Sequence, residues 1–303
     1  MGNPIAKAVA LPVCQYSESN SSLLFYNERT GSAITGILSS GKWQQKNMLT
    51  LPVGYTHAAA SRDSLLLYNA NRGTAETGTF KAGQYTRVNI YNTFNPGWHS
   101  VTATGDSALF YNKDNGHAGT GILWGGKYQH VRSYADFRVG WSSIAGSCDT
   151  MCFSRSWWKE IGKLEGGELA YGTLTYGLYK HVGNVPLPDG VWYAEGNWSA
   201  GGNLSAMAGT KDSLFGWWTL NATTNEQCFV VATAKDGKVG PLQTLGNTPG
   251  WHKVGRTADS LVFYKSDGVT ATAYTATLTS GKYANVGPIT NIQPGYSLIA
   301  GGV

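Results

Sequence analysis

The chain has 303 residues, a formal net charge of +5, and charged side chains at only 14% of its positions. Soluble domains usually carry charge at about a quarter of their positions, so this composition predicts a neutral, polar surface. Lysine and arginine never form a run longer than two, which argues against a nucleic-acid partner. No run of 18 apolar residues is present, so we expect no membrane insertion.

The first residues lack a basic segment followed by a long apolar core, so no secretory signal peptide is predicted. We therefore expect a cytoplasmic protein, or one that is secreted by a route without a signal. The four cysteines, Cys14, Cys148, Cys152 and Cys228, are scattered along the chain. We expect them to be small buried side chains rather than a disulfide or a metal pair.

A short apolar and aromatic motif recurs along the chain. It reads Ser-Leu-Leu-Phe-Tyr-Asn at 22–27, and further copies begin at positions 64, 107, 150, 213 and 260. Successive copies are 42, 43, 43, 63 and 47 residues apart. A period near 43 residues indicates an array of one supersecondary unit.

The third copy shows what one repeat contains. Apolar or alternating segments lie at 108–112, 117–123, 127–131 and 140–149, and Gly, Asn or Asp stands at the turns between them. Four strands in 40–50 residues, without helical spacing, are typical of a propeller blade. We predict an all-β, six-bladed β-propeller of four-stranded antiparallel blades, and we name the strands of each blade A to D. The repeated motif is strand B.

Strand A is rich in small residues, as at 58–60 and 206–208, so we expect it to be the innermost strand. A-like segments stand at both ends of the chain, at 12–21 and at 295–303. One of them must close the ring between the N- and C-terminal strands. We interpret residues 1–303 as a single propeller domain; five or seven blades would require one repeat to be merged or split.

The fourth repeat is about 20 residues longer than its neighbours. The excess falls at about 156–167, between strands B and C, and at about 183–201, between strand D and the next strand A. In an antiparallel blade both connections lie on the same face. They carry the tryptophans Trp157, Trp158, Trp192 and Trp198. These side chains form either a binding wall for a ligand or a small core that holds the two loops together.

The same face receives the start of each strand A and the end of each strand B. Candidate ligand-binding residues there are Trp98, His99, Trp141, Trp251, His252, Asn27, Asn69 and Asn112. A recurring aromatic residue is more often an inter-blade packing residue, and an Asn can simply open an Asx-turn. The two histidines are too few, and too far apart on the ring, to predict a metal site.

Two further sets of polar residues stand out. Arg256 occurs where the other A strands carry small residues, so it either holds an anion at the mouth of the central channel or plugs a gap. An aspartate precedes Ser or Thr between strands A and B of five repeats. We interpret these aspartates as structural turn residues.

The repeat, with its Leu-Phe-Tyr-Asn, Thr-Gly and Gly-Trp elements, resembles the units of lectin-type β-propellers of the tachylectin-like group. The resemblance covers nearly the whole chain, in architecture and repeat style. It implies a carbohydrate-binding protein without catalysis and without a cofactor, whose partners are glycans or a small-molecule ligand. The sequence lacks the Asp-rich calcium repeats and the regular Trp and Arg sites of other propeller lectins, so sugar specificity does not carry over. The sequence is also compatible with a homo-oligomer.

An enzyme is the alternative hypothesis. The fourth and fifth repeats have drifted, which suits a single pocket near the axis, beside the fourth repeat. A cyclase, isomerase or lyase that needs no cofactor would fit. Trp157, Trp158 and Trp192 would then shape the substrate site, and Glu160, His181 or Arg256 would move a proton or hold charge.

Overall fold

The computed structural model describes residues 21–160, 163–187, 206–221, 226–248 and 250–303. For 156–166, 218–226 and 247–249 the description is limited to the backbone where one is given. These residues form strands and turns, and none of them forms a helix that could cross a bilayer.

Twenty-five strands follow one another along the described chain. They are β1 (Ser22–Tyr26), β2 (Ser32–Ser39), β3 (Lys42–Thr50), β4 (His57–Ala60), β5 (Ser64–Asn69), β6 (Thr74–Lys81), β7 (Gln84–Tyr91), β8 (Ser100–Ala103), β9 (Ser107–Tyr111), β10 (Ala118–Trp124), β11 (Lys127–Tyr134), β12 (Ser143–Gly146), β13 (Thr150–Glu160), β14 (Lys163–Thr175), β15 (Leu178–Pro186), β16 (Ala206–Gly209), β17 (Ser213–Asn221), β18 (Glu226–Lys235), β19 (Lys238–Val239), β20 (Gln243–Thr248), β21 (Lys253–Arg256), β22 (Ser260–Ser266), β23 (Ala271–Thr279), β24 (Lys282–Ile289) and β25 (Leu298–Gly301).

The strands form six small antiparallel sheets, which are the blades. The first blade has the order β25-β1-β2-β3, and the second, third and fourth blades are β4–β7, β8–β11 and β12–β15. The fifth blade is β16–β20, with its outer strand divided between β19 and β20, and the sixth is β21–β24. The predicted six-bladed propeller is confirmed.

The innermost strands form the ring. Each of β4, β8, β12, β16, β21 and β25 contacts the innermost strand of both neighbouring blades. Small residues permit this crowding. A β-carbon added to Gly146 would collide with the carbonyl oxygen of Ala103, and one added to Gly301 would collide with that of Arg256. The predicted position of strand A is therefore confirmed, and its composition has a steric cause.

The C-terminal strand closes the ring. β25 pairs antiparallel with β1, with Leu24 opposite Ala300 and Tyr26 opposite Leu298. The first blade thus combines strands from both ends of the described chain, an arrangement that leaves no open seam between first and last blades. The other candidate for closure, the segment at 12–21, lies outside the described residues except for Ser21.

Polar clamps join successive blades on one face. The Asp63 carboxylate accepts the backbone N–H of Gly125 (3.1 Å), and the Ser64 hydroxyl accepts that of Gly126 (2.8 Å). Both glycines adopt positive φ, as a two-residue β-hairpin turn requires. The same bonds join Asp106 and Ser107 to Tyr176 and Gly177, Asp149 and Thr150 to Asp236 and Gly237, Asp212 and Ser213 to Ser280 and Gly281, and Asp259 and Ser260 to Ser40 and Gly41.

These clamps confirm the structural interpretation of the aspartates. They join the A–B turn of one blade to the C–D turn of the next, so these turns share a face of the ring. The B–C turns therefore lie on the opposite face. In the fourth blade the inserted residues lengthen the B–C hairpin, because β13 runs to Glu160 and β14 starts at Lys163. The second insertion falls largely on 188–205, outside the described residues.

The cysteines depart from the expectation at one position. Cys152 and Cys228 are buried free thiols, as predicted. Cys148 is buried and disulfide-bonded, so for this residue the expectation of a free thiol is wrong. Sequence spacing gave no indication of this bond because the chain has no regular cysteine pattern.

Candidate functional site

Two clefts of similar size and with aromatic linings lie on either side of the third blade among the described residues. One lies between the second and third blades and has a volume of about 350 Å³. Its lining consists of Tyr91, Thr93, Phe94, Asn95, Trp98, Phe110, Gly119, Tyr128, His130 and Ser133. The other lies between the third and fourth blades, with a volume of about 340 Å³. It is lined by Tyr134, Asp136, Phe137, Arg138, Trp141, Phe153, Glu168, Ala170, Tyr179, His181 and Asn184.

The strand register shows that the two clefts use equivalent positions. Phe110 on strand B lies opposite Gly119 on strand C, and Phe153 lies opposite Ala170 in the same way. Strand D supplies a Tyr and a His to each cleft, and the preceding blade supplies a Tyr and a Phe. The molecule therefore contains one type of cleft twice, in successive interfaces.

Aromatic contacts fix the floor of each cleft. The ring of Phe94 lies 5.1 Å from that of Phe110 and 5.3 Å from that of Tyr128, measured between centroids. In the second cleft Phe137 lies 5.7 Å from Phe153 and 5.1 Å from Tyr179. Such tilted and edge-to-face packing holds each ring by several neighbours, so the floor is formed before any ligand arrives.

A tyrosine from the preceding blade pins the two walls together. The Tyr91 hydroxyl donates to the carbonyl of Tyr128 (3.0 Å) and accepts its N–H (2.9 Å). Tyr134 accepts the N–H of Tyr179 at 3.0 Å in the second cleft. These bonds satisfy backbone groups at the outer edge of each cleft and set its width.

A small residue on strand C keeps each cleft open. The position of Gly119 and Ala170 is held by Ile34, Glu76, Val230 and Tyr274 in the other four blades. A β-carbon added to Gly119 would meet only His130 (3.7 Å) and Trp98 (3.9 Å), which are ordinary contacts. Packing therefore does not require the glycine, and the missing side chain is what leaves the space.

The interface between the first and second blades shows the same arrangement with the space filled. Glu76 is 1% exposed, and its carboxylate accepts the hydroxyls of Tyr85 (2.7 Å) and Tyr55 (3.0 Å). The Arg87 guanidinium lies 3.6 Å from the same carboxylate. Burial, followed by the negative charge of Glu76, raises the pKa of both tyrosines well above the usual value. The phenols therefore stay protonated and donate.

The polar rims of the two clefts differ. In the first, His130 lies 3.0 Å from the Ser133 hydroxyl and 3.5 Å from that of Tyr128. None of the described residues that line this cleft is acidic. In the second, Glu168 accepts bonds from Arg138 (2.7 Å) and from Arg155 (2.8 Å).

The predicted aromatic residues at the starts of the A strands divide into two groups. Trp98 and Trp141 line the clefts and also pack between blades, so the packing and binding interpretations coincide for them. Trp251 packs on Phe263 (5.8 Å), and Lys265 lies over its ring.

The predicted histidines lie away from the clefts. His99 and His252 are exposed, and His99 lies 3.3 Å from the carboxylate of Asp114. His181, which the enzyme hypothesis invoked, lines the second cleft instead of the axis. Within the described residues, no group of three or more His, Cys, Asp or Glu side chains could hold a metal ion.

The predicted asparagines bind their own turns. The Asn27 side-chain oxygen accepts the N–H groups of Arg29 (3.0 Å) and Thr30 (3.2 Å). Asn69 accepts the N–H groups of Asn71 and Arg72 in the same way, and Asn112 accepts that of Asp114. Their side chains are thus engaged in the local structure.

Arg256 crosses the central channel. The six innermost strands line a cavity of about 170 Å³ there, and Arg256 is the one charged side chain among the described residues of its lining. The guanidinium donates to the carbonyls of Gly209 (2.7 Å) and Ala103 (2.6 Å), on the fifth and third blades. Burial lowers the pKa of Arg256 to about 9, so the group stays charged at neutral pH. These contacts correspond to the structural plug of the two predicted roles.

The tryptophans of the insertions cannot be placed. Trp192 and Trp198 lie outside the described residues, and for Trp157, Trp158 and Glu160 only the backbone is described. Sequence reasoning missed Phe94, Tyr128, His130, Phe137 and Tyr179. The signal that could have found them is the aligned strand C position, small in two repeats and large in the others.

The comparisons support the architecture. A solved Bacteroides uniformis protein, described as a candidate 6-phosphogluconolactonase, matches with a TM-score of 0.51 and 10% identity, over 92% of this chain and 98% of its own. A Bacteroides fragilis protein with the same description matches with a TM-score of 0.50 and 10% identity, over 94% and 99%. At such identity the likeness concerns the fold alone. The resemblance to tachylectin-like lectins is not confirmed by these structures.

No protein-family model matches the chain, and no curated protein matches it.

Proposed function

We propose that the protein binds carbohydrates at the two clefts beside the third blade. The observation that carries this proposal is the aromatic cleft that occurs twice, at the two interfaces where strand C carries Gly119 or Ala170. Large clefts with apolar floors and a few polar groups at the rim are the usual form of small-molecule sites.

The chemistry of the clefts suits a sugar. A pyranose ring presents C–H groups on one face, and these pack against the electron-rich face of an aromatic ring. Its hydroxyls lie at the edge, where Tyr128, His130 and Ser133 supply donors and acceptors in the first cleft. Volumes near 350 Å³ fall at the low end of the range for ligand pockets, about 300–1,000 Å³. A monosaccharide unit fits this space.

Two related sites on one chain favour binding of extended or clustered glycans. Each site alone would be weak, because a shallow cleft orders a flexible, well-hydrated ligand. Simultaneous occupancy raises the apparent affinity without new contacts, provided that the glycan can span both clefts. The neutral polar surface predicted from composition is compatible with such a function.

A glycan array followed by calorimetry with millimolar sugars tests the proposal. Gly119→Glu and Ala170→Glu should each fill one cleft, as Glu76 does in the first interface. Every sugar that binds should lose its site in one of these variants and keep it in Gly119→Ala. A sugar that is indifferent to both glutamates would place binding elsewhere, and no binding on the array or in calorimetry would refute the proposal.

An enzyme remains the second candidate, favoured by His181, Glu168 and Asp136 in one cleft. Its site would be the second cleft rather than the axial pocket expected from the sequence. Turnover of a sugar lactone that is lost in His181→Ala and kept in the matched His130→Ala would establish it.

A further inference from the structure

In the interface between the first and second blades, the carboxylate of Glu76 occupies the space that is open in the two clefts. The carboxylate of Glu76 is enclosed by the hydroxyls of Tyr55 and Tyr85 and by the Arg87 guanidinium. All three groups donate hydrogen bonds or carry positive charge. This interface therefore shows which ligand chemistry this type of cleft accommodates.

The first open cleft keeps donors at the equivalent positions. Tyr128 occupies the position of Tyr85 on strand D, and His130 occupies that of Arg87. Both line the cleft, and their side chains lie 3.5 Å apart at the hydroxyl and the ring nitrogen. Burial raises the pKa of Tyr128, so its phenol donates at every physiological pH.

No carboxylate competes for these donors among the described residues that line the cleft, which include no Asp or Glu. The neutral Ser133 hydroxyl is the neighbour of His130, at 3.0 Å. The residue that would correspond to Glu76 is Gly119, which brings no side chain at all. Tyr128 and His130 therefore line the space that the Glu76 side chain fills in the first interface, and their polar neighbours there are each other and Ser133.

We propose that the cleft between the second and third blades binds a ligand that carries a carboxylate, seated where Glu76 seats its own. The carboxylate receives the Tyr128 hydroxyl and lies beside His130, and the ligand ring packs on Phe94 and Phe110. Together with the proposed function, on which this inference rests, the ligand class is an acidic sugar, of which a uronic acid is the simplest.

The second cleft gives the contrast. Its lining includes Glu168 and Asp136, and Glu168 already occupies the guanidinium groups of Arg138 and Arg155. A ligand carboxylate there would lie beside existing carboxylates, which disfavours it. The preference for acidic sugars should therefore belong to the first cleft alone.

Calorimetry with matched probes tests this inference. The probes are methyl glucuronide, its methyl ester with the same ring and no charge, and cyclohexanecarboxylate, an acid that is not a sugar. We expect the free acid to bind at least tenfold more tightly than the ester. Tyr128→Phe should remove that difference, and Tyr179→Phe, the matched change in the second cleft, should leave it intact.

The outcomes separate the two proposals. Equal binding of acid and ester would overturn the carboxylate preference and leave carbohydrate binding standing. Binding of cyclohexanecarboxylate without either sugar would support the carboxylate site and refute the carbohydrate function. Absence of binding by all three probes would overturn the preference, while neutral sugars on the array would decide the function.

A rescue experiment is independent of any sugar. Glu76→Gly should open a third cleft whose donors have lost their acceptor. Propionate at tens of millimolar should raise the melting temperature of Glu76→Gly and leave that of the wild-type protein unchanged. Propionamide should leave both melting temperatures unchanged. Equal effects of propionate and propionamide on the variant would contradict the inference that this position selects a carboxylate.

Discussion

The interface between the first and second blades and the cleft between the second and third are built from the same positions, yet one is solid and the other is open. Both have an aromatic residue before strand A, a bulky residue on strand B and a tyrosine on strand D. On strand C the filled interface has Glu76 where the open cleft has Gly119. The comparison teaches that a buried side chain at this position accompanies a filled interface, whereas its absence accompanies an open cleft.

The largest expected effect is the loss of the buried carboxylate. Glu76→Ala should lower the free energy of unfolding by about 3 kcal/mol, because Tyr55 and Tyr85 keep buried hydroxyls without their acceptor. Urea denaturation measures the change. Glu76→Gln retains an acceptor and should cost about half as much; equal losses in the two variants would show that charge, not hydrogen bonding, holds this interface.

Two glycines on one strand should behave in opposite ways. Gly121→Ala places a β-carbon against the Gln129 carbonyl and 2.6 Å from the Tyr128 ring, so we expect a loss of at least about 2 kcal/mol. Gly119→Ala makes only ordinary contacts with His130 and Trp98 and should stay within about 0.5 kcal/mol of wild type. Thermal unfolding compares them. A large loss in Gly119→Ala would mean that this glycine serves packing after all.

The tyrosine pin should have a smaller effect. Tyr91→Phe leaves the N–H and carbonyl of Tyr128 without their partner, at a cost of about 1 kcal/mol. Weaker ligand binding should accompany this loss if the pin sets the cleft width. Tyr134→Phe is the matched change in the second cleft. The measurement is denaturation together with calorimetry, and unchanged binding in both variants would show that the rings alone define the clefts.

The smallest effect concerns pH. His57 lies between the second and third blades, 3.1 Å from the His99 carbonyl, and burial lowers its pKa below the ordinary 6.5. The unfolded chain therefore binds the proton more readily, so this contribution to stability is complete above pH 6.5 and is lost as the pH falls through the lowered pKa. Melting temperatures from pH 7 to pH 5 should fall more for wild type than for His57→Gln. Parallel curves would remove His57 as the source.

The fold could be read from the sequence because every repeat restates it. Six copies of the strand B motif, small residues on strand A and an aspartate before Ser or Thr in five of the A–B turns are local signals, and they agree with one another. The closing strand could not be chosen, because 12–21 and 295–303 carry similar patterns and only pairing with β1 distinguishes them.

Only part of the candidate site could be predicted from the sequence. Trp98 and Trp141 recur at a fixed place and were found, whereas Phe94 and Phe137 sit in connections whose register follows no strand pattern. Arg256 was recognised as an exception on strand A, but its partners, Gly209 and Ala103, lie on other blades and leave no sequence signal. The first cleft is open where Gly119 has no side chain. A missing side chain is recognised only when the equivalent positions of the six blades are compared.

The pairing of β25 with β1 also sets the order of events during synthesis. The first blade cannot be completed until the strand that ends at Gly301 has left the ribosome, although its other three strands emerge first. Throughout translation the inner edge of β1 therefore stays without its partner, and an unpaired apolar edge invites association with other nascent chains. Folding of this ring is therefore completed only when a strand of four residues, β25, pairs with β1.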